Sequence, residues 1–375
     1  AEGIHFMDEN STRQISLSPG KSQEVLSAFR VEKPGMAKFE FRARMGKETD
    51  GLEISIPLML PRPTETVALH GETDESAEEK IRIPEDAYPE ESRIDFVASA
   101  SALSGLKGSV DFLTDYPYLC LEQRLSSILP YIVAKDILSE FKLSRLSRAE
   151  MKDHVQKNLE EIYEYQRGNG GFGLWPDSSH DSPFNSCYAA FALAKAKEAG
   201  FAVDEQSVNR LIPYLKNMTR GRLDRNNFPY GQRTWKTIQA FALYALALFN
   251  QPEPSYVEKL FVEREAFSLF GKTLLLKALN KGKGSINAQN TLIQELMNKA
   301  KVSPTAAHFE DDEGREGRWI YSSNNRTSAL ILQSLLDVGA ENPLLSSVAR
   351  WLVDRRKAGT WATTQDNFYV FYALS

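Results

Sequence analysis

Cys120 and Gln123 are the two residues of this chain whose types and spacing could do unusual chemistry. Side chains three residues apart on an α-helix lie on one face, a turn apart. The Cys120 sulfur could therefore attack the Gln123 side-chain carbonyl, release ammonia and leave an internal β-cysteinyl-γ-glutamyl thioester. Such a bond is an acylating agent, so the chain would react once with a nucleophile and would not turn over as an enzyme does.

The residues around Cys120 are suited to position and protect such a bond. Pro117 fixes its own φ angle and restrains Tyr116 before it, and the start of a helix at about residue 121 favours a thiolate. Tyr116 and Tyr118 are predicted to shield the bond, because water is the competing nucleophile. Glu122 is either a supporting residue or a solvent-facing helix residue, and we favour the solvent-facing position.

The composition excludes several classes of protein. With 375 residues, 42% hydrophobic and 25% charged, the chain is typical of a globular protein with a large core. A net charge of −5 and the lack of a basic stripe give no reason to expect nucleic acid. Two cysteines, Cys120 and Cys187, do not make a disulfide framework. We expect no metal and no cofactor.

The pattern of apolar residues divides the chain at about residue 105. Before it, alternation predicts antiparallel strands at 12–17, 37–43, 52–58, 65–71, 81–83 and 93–98. After it, helical periodicity predicts helices at 121–141, 151–167, 187–199, 207–218, 234–249, 266–279, 287–301, 326–338 and 342–356. The acidic run 310–313 is expected to be solvated. No apolar run is long enough to span a membrane.

Several of the predicted helices are apolar on most faces and follow a turn that contains glycine and an aromatic residue. Such helices are buried, and more polar helices run between them at intervals of roughly 35 to 55 residues, which is typical of helical-pair repeats. Inner buried helices surrounded by outer amphipathic ones predict an α/α toroid. An open solenoid is the alternative.

The residues around Cys120 resemble those of the α2-macroglobulin and complement thioester family, in particular its bacterial branch. There the segment usually reads Tyr-Pro-Tyr-Gly-Cys-Leu-Glu-Gln, and this chain has Tyr116-Pro117-Tyr118-Leu119-Cys120-Leu121-Glu122-Gln123. Three later segments are similar to the family's turns into inner helices: Gly170-Gly171-Phe172-Gly173-Leu174-Trp175, Asn325-Arg326-Thr327-Ser328-Ala329 and Thr363-Thr364-Gln365-Asp366-Asn367.

The resemblance implies a multi-domain chain in which antiparallel β structure precedes an all-α thioester domain. Residues 1–62 would be the end of a macroglobulin-like β-sandwich. Residues 63–105 would be the first part of a CUB-like β domain, and residues 106–375 the α/α toroid. Both ends of the chain look cut, so we expect a fragment, and a monomeric one.

The resemblance also implies a function, that of a single-use protease inhibitor. A protease cuts the parent protein, the thioester becomes exposed, and a lysine amine of the protease becomes linked to Gln123 while Cys120 leaves as a thiol. The family further implies a periplasmic parent, often with a lipid anchor, that has a role in bacterial defence and a peptidoglycan synthase as a second partner. None of the five histidines lies in a stretch matching the histidine that turns some complement relatives toward hydroxyls.

Leu119 is the one departure from the family segment, which usually has glycine there. If that position needs a positive φ, leucine would carry a strain of roughly 1–2 kcal/mol. The bulkier Leu119 could equally act as an extra shield of the thioester. Two alternatives to the covalent trap therefore stay open. One is a toroid that has no thioester and binds partners, and the other is an acyltransferase with Cys120 as its nucleophile, which would need a histidine base within reach.

Overall fold

A computed structural model describes residues 4–7, 12–59 and 102–375 apart from 225, 226, 312 and 341, together with scattered positions between 76 and 96. Contacts divide the chain into two compact units, residues 1–67 and residues 68–375. The first unit contains β structure and the second is mostly helical.

The described part of the first unit contains two two-stranded antiparallel sheets. Strand β1 (Ile4–Phe6) pairs with β2 (Phe29–Val31), and β3 (Gly35–Met45) pairs with β4 (Glu48–Leu58). A two-residue loop joins β3 to β4, and Gly46 adopts the positive φ of 60° that such a tight turn requires. The predicted strands at 37–43 and 52–58 are confirmed.

Other predicted strands are not confirmed. Residues 12–17 and 81–83 are not in strands, because alternation alone does not make a strand unless a second segment pairs with it. Residues 65–71 lie outside the described part of the chain, and of 93–98 the described positions 93, 94 and 96 are not in a strand. The assignment of 1–62 and 63–105 to two separate β domains stays a prediction.

The second unit is built from thirteen α-helices within its described residues. They are α1 (Lys107–Thr114), α2 (Leu121–Val133), α3 (Lys135–Glu140), α4 (Arg148–Ile162), α5 (Pro183–Glu198), α6 (Glu205–Thr219), α7 (Gln232–Leu248), α8 (Pro254–Val262), α9 (Leu269–Lys281), α10 (Ile286–Met297), α11 (Asn324–Asp337), α12 (Leu344–Asp354) and α13 (Thr364–Leu374). A short hairpin of β5 (Lys301–Val302) and β6 (Ala307–His308) separates α10 from α11.

Six of these helices form a closed ring. Helix α2 packs on α5, α5 on α7, α7 on α9, α9 on α11, α11 on α13, and α13 returns to α2. These inner helices are buried on almost every face, with Ala189, Ala240 and Ile331 fully inaccessible. Helices α4, α6, α8, α10 and α12 pack outside them, and α1 contacts both α2 and α13.

The inner helices run in the same direction around the ring. Residues near the starts of neighbouring inner helices are hydrogen-bonded in the pairs Glu122–Thr364, Ser126–Tyr188, Thr237–Ser268 and Ser323–Asp366. At the opposite end, Lys277 late in α9 pairs with Asp337 at the end of α11. The N-terminus of α2, which carries Cys120, therefore lies at the end of the ring where the other inner helices also begin.

The acidic run 310–313, predicted to be solvated, is in part buried. Glu313 is 5% exposed and accepts hydrogen bonds from Thr234, Thr237 and Ser268, so it joins the starts of α7 and α9. The prediction was wrong for Glu313 because a charge run in a loop carries no information on which helices it crosses. Across the described helices, none combines the length and apolar character that a membrane span needs.

Candidate functional site

Cys120 and Gln123 lie together at the start of α2. Cys120 is the residue before the first turn, with extended backbone angles (φ −65°, ψ 164°), and its side chain is 6% exposed. Its backbone N–H donates to Gln123 Oε1 at 3.1 Å, and its sulfur accepts from the backbone N–H of Gln123. Each side chain therefore folds back onto the backbone of the other, which keeps the sulfur and the side-chain carbonyl group on one side of the helix start.

The environment of Cys120 keeps its thiol protonated. Burial raises the pKa of Cys120 to about 11, and the nearby Glu122 adds to the effect. Hydrogen bonds from the backbone N–H groups of Gln123 and Glu122 act in the opposite direction but are outweighed. A cysteine in this state is a poor nucleophile at neutral pH, because the thiolate is the reactive form.

Hydrogen bonds hold the backbone on both sides of Cys120. The Tyr165 hydroxyl donates to the Leu119 carbonyl at 2.7 Å, and the Leu121 N–H donates to the Leu174 carbonyl at 3.0 Å. Arg124 Nε in turn donates to the Tyr165 hydroxyl at 3.0 Å. The loop after α4 thus fixes the turn that carries the cysteine.

Tyr165 was not singled out by the sequence. It lies in a short 3₁₀ turn after α4, and its side chain reaches a backbone carbonyl 46 residues earlier. Helical periodicity identifies the buried face of a helix, but it contains no signal for a contact of this kind.

Leu119 does not carry the strain that its departure from glycine suggested. Of the non-glycine residues that the structure describes, those with a positive φ are Lys142, Asn250, Lys283, Tyr321 and Ala358. Leu119 is not among them, and its side chain is 44% exposed. The backbone here makes no demand for glycine, so the predicted strain does not arise.

The two tyrosines before Cys120 differ in their surroundings. Tyr118 is 65% exposed, whereas Tyr116 is half-buried. The Tyr116 ring packs edge-on against Phe112 at 5.3 Å and against Tyr118 at 6.1 Å between ring centroids. Their shielding of a thioester stays a prediction, and Tyr116 is the better placed of the two because it lines a cavity beside Gln123.

Glu122 is buried, and the prediction of a solvent-facing residue was wrong. It is 2% exposed and accepts hydrogen bonds from Ser126, Thr364 and Gln365. Burial raises its pKa, against the effect of those hydrogen bonds and of the nearby Arg326. Because α2 is an inner helix covered on nearly all sides, its charged residue lies inside the ring and joins α2 to α13.

A surface cavity of about 300 Å³ lies between α2 and α4, next to Gln123. The residues that line it include Tyr116, Leu119, Gln123, Arg124, Ser127, His154, Lys157, Asn158 and Glu161. The Gln123 side chain can thus be approached from this side, whereas Cys120 is buried.

The family of the chain follows from its sequence over most of its length. A family model described as the A-macroglobulin TED domain matches residues 92–375. The chain belongs to the α2-macroglobulin family. The predicted resemblance is therefore confirmed, and this α2-macroglobulin-family chain carries Cys120, Gln123 and the whole ring of inner helices within the matched residues.

Two relatives align with different fractions of this chain. It is 30% identical to an α2-macroglobulin of Rickettsia conorii over 49% of this chain and 9% of that protein. It is 21% identical to an α2-macroglobulin homologue of Nostoc over 99% of this chain and 19% of that protein. The chain therefore spans less than a fifth of either relative.

Solved structures share the fold of this α2-macroglobulin-family chain. Native Escherichia coli α2-macroglobulin, from domain MG7 to the C-terminus, matches with a TM-score of 0.65 and 19% identity over 100% of this chain and 59% of that one. A Salmonella α2-macroglobulin reacted with methylamine matches with a TM-score of 0.64 and 20% identity over 100% of this chain and 24% of that one.

Proposed function

We propose that this chain carries a thioester between Cys120 and Gln123 and serves a longer protein as a covalent trap for proteases. The observation that supports the thioester most strongly is the mutual capping of the two residues at a buried helix start, with Gln123 Oε1 3.1 Å from the Cys120 nitrogen. The trap would be used once, so the chain would act as an inhibitor and not as an enzyme.

The closed ring of inner helices supports an α/α toroid as the scaffold. Six parallel inner helices with outer helices around them are what the toroid architecture requires, and an open solenoid would not return from α13 to α2. In this arrangement Cys120 lies at one rim, where a neighbouring domain could cover or release it.

The proposed reaction is a transfer of the Gln123 acyl group. The lone pair of a neutral lysine amine on the protease attacks the thioester carbonyl carbon of Gln123, and the bond from that carbon to the Cys120 sulfur breaks. The amine loses one proton, the sulfur leaves with the bonding electrons and takes up a proton, and an amide links protease to trap. Burial of Cys120 opposes this step in the closed state, because it disfavours the leaving thiolate.

Structures of relatives support amines and proteases as the reactants. One relative was solved after reaction with methylamine, one after activation by porcine elastase and one after activation by trypsin. For this chain we propose the same class of partner, and we keep a periplasmic parent, a defence role and a peptidoglycan synthase partner as proposals from the family alone.

The acyltransferase alternative fits the site less well. An enzyme with a cysteine nucleophile lowers the pKa of that cysteine, commonly with an adjacent histidine. Here burial raises the pKa of Cys120 to about 11, and within the described residues no histidine is hydrogen-bonded to it. The second candidate function is that of a chain that forms no thioester and only binds partner proteins.

The trap is tested in the protein that contains this chain, by treatment with trypsin and electrophoresis under reducing and denaturing conditions. The expected result is a covalent trypsin adduct in the natural protein and none in Gln123→Glu, whose carboxylate does not condense with Cys120. Adduct formation that survives Gln123→Glu would contradict the proposal, since an acyltransferase does not need Gln123.

A further inference from the structure

The cavity between α2 and α4 brings an acyl donor, an amine and an imidazole to one place. Gln123 lines it from α2, and Lys157 and His154 line it from α4. Lys157 and His154 are three residues apart on α4, so they lie on the same face of that helix. If Gln123 is held as a thioester, as proposed above, the amine that lines its cavity belongs to the same chain.

The packing of α2 on α4 is fixed beside this cavity. Arg124, the residue after Gln123, donates to Asn158 Oδ1 at 3.0 Å and pairs with Glu161. Asn158 and Glu161 follow Lys157 in α4 by one and four residues. The two walls of the cavity, which carry Gln123 and Lys157, are therefore held together by direct contacts between α2 and α4.

Lys157 is the cation in this cavity that has no carboxylate partner. Arg124 uses Glu161, and no hydrogen bond or salt bridge joins Lys157 to another of the residues that the structure describes. The Lys157 side chain is exposed and lines the cavity from α4.

His154 is the imidazole that lines this cavity. Its Nε2 is buried and has no hydrogen-bond partner among the described residues, whereas the imidazole is hydrogen-bonded to the Ser127 carbonyl. The proton on Nδ1 is therefore used in the hydrogen bond to Ser127, and the lone pair of Nε2 has no partner among the described residues. Burial lowers the pKa of His154, and the nearby Lys157 charge adds to the effect, so both favour the neutral ring.

We propose that Lys157 is an internal acceptor for the Gln123 acyl group, so that the unused trap closes on itself with an isopeptide bond between α2 and α4. The lone pair of the neutral Lys157 amine attacks the Gln123 carbonyl carbon, and the bond from that carbon to the Cys120 sulfur breaks. The nitrogen then loses one proton, and the sulfur leaves with the bonding electrons and takes up one proton. One thioester and one amine become one amide and one thiol, and no other reactant is needed.

This reaction would limit the lifetime of the trap without releasing a reactive species. An amine held beside a carbonyl has a large advantage over a free amine, because its translational freedom is already lost. The product cannot acylate anything further, yet its two helices are covalently joined. A chain that met no protease would thus end as an inert and stabilised domain.

The inference is tested by following the purified protein over time in a buffer free of amines. Intact mass, thiol titration and peptide mapping are recorded together. The expected result is the appearance of the Cys120 thiol while the mass stays one ammonia below the value calculated from the sequence. Peptide mapping should then find the Gln123 peptide linked to the peptide that contains Lys157.

Two variants separate Lys157 from other acceptors. Lys157→Arg keeps the charge and removes the nucleophile, so the cross-linked fraction should fall by about tenfold or more, with water added at Gln123 instead. Lys152→Arg is the matched control, since Lys152 is exposed on the same helix but does not line the cavity, and it should behave as the natural protein.

The two proposals fail in different ways. Thiol release that is always accompanied by a gain of water, or a cross-linked fraction unchanged in Lys157→Arg, would overturn the internal acceptor and leave the thioester intact as a proposal. A starting mass equal to the calculated one, with two free thiols, would overturn the thioester and with it the internal acceptor.

Discussion

Replacement of Glu122 is the sharpest test of how the ring is held together. Glu122 receives three side-chain donors: Ser126 at 2.7 Å, Thr364 at 2.9 Å and Gln365 at 3.1 Å. Glu122→Ala would leave Thr364 and Gln365 without this acceptor in the interior, whereas Ser126 can still donate to the Tyr188 hydroxyl. At about 1 kcal/mol for each buried donor that loses its partner, the free energy of unfolding should fall by about 2 kcal/mol.

A loss of that size is measurable by calorimetry or by thermal denaturation followed by circular dichroism. For a domain of this size it should lower the melting temperature by roughly 4–8 °C. Glu122→Gln is the matched variant, since it keeps one acceptor oxygen and the volume of the side chain, and it should cost about 1 kcal/mol or less. A Glu122→Ala variant as stable as Glu122→Gln would refute the reasoning.

The pH dependence of stability gives a second readout of Glu122. Burial raises the pKa of Glu122 above its ordinary value of 4.5, so the folded protein binds this proton more tightly than the unfolded chain. The resulting contribution to stability is fully present below pH 4.5 and is lost as the pH rises through the folded pKa. Glu122→Gln has no such proton, so its stability should fall less with rising pH. Equal slopes would contradict a buried, ionisable Glu122.

Three further predictions concern the turn that carries Cys120. Tyr165→Phe removes the hydroxyl that the Leu119 carbonyl and Arg124 share, so the unfolding free energy should fall by about 1–2 kcal/mol and the thioester should hydrolyse faster, as a thiol-release assay would record. Gln123→Glu leaves Cys120 as a free thiol. At pH 8 iodoacetamide should alkylate this thiol about a hundredfold more slowly than a thiol of pKa 9.0, because burial raises the pKa of Cys120 to about 11. An equal rate would mean that the thiol is not buried. Leu119→Gly should lower the melting temperature or leave it unchanged, and a rise would show a strained backbone at this position.

The chemistry of the site could be predicted from the sequence, because it rests on local spacing. Cys120 and Gln123 are three residues apart at a helix start, and the structure places both where that spacing predicts. The hairpin strands around residues 37–43 and 52–58 were likewise predictable, since each alternates over seven residues and the two pair with each other. Both predictions depend only on residues that are close together in the chain or are joined by one short turn.

The contacts that support the site could not be predicted, because they join residues far apart in the chain. The buried position of Glu122 depends on Thr364 and Gln365, more than 240 residues later. In an inner helix that is covered on all sides, hydrophobic periodicity does not show whether a single carboxylate is buried or exposed. Helix α8 was missed for a related reason, since only Val257 and Leu260 are buried in its nine residues.

The central claim is the bond between Cys120 and Gln123, and intact mass before and after methylamine tests it most directly. The account predicts a native mass one ammonia below the value calculated from the sequence. Methylamine should add one molecule at Gln123 and release one thiol at Cys120, whereas Cys120→Ser should take up none. A native mass equal to the calculated value, with two free thiols and no uptake of methylamine, would contradict the account.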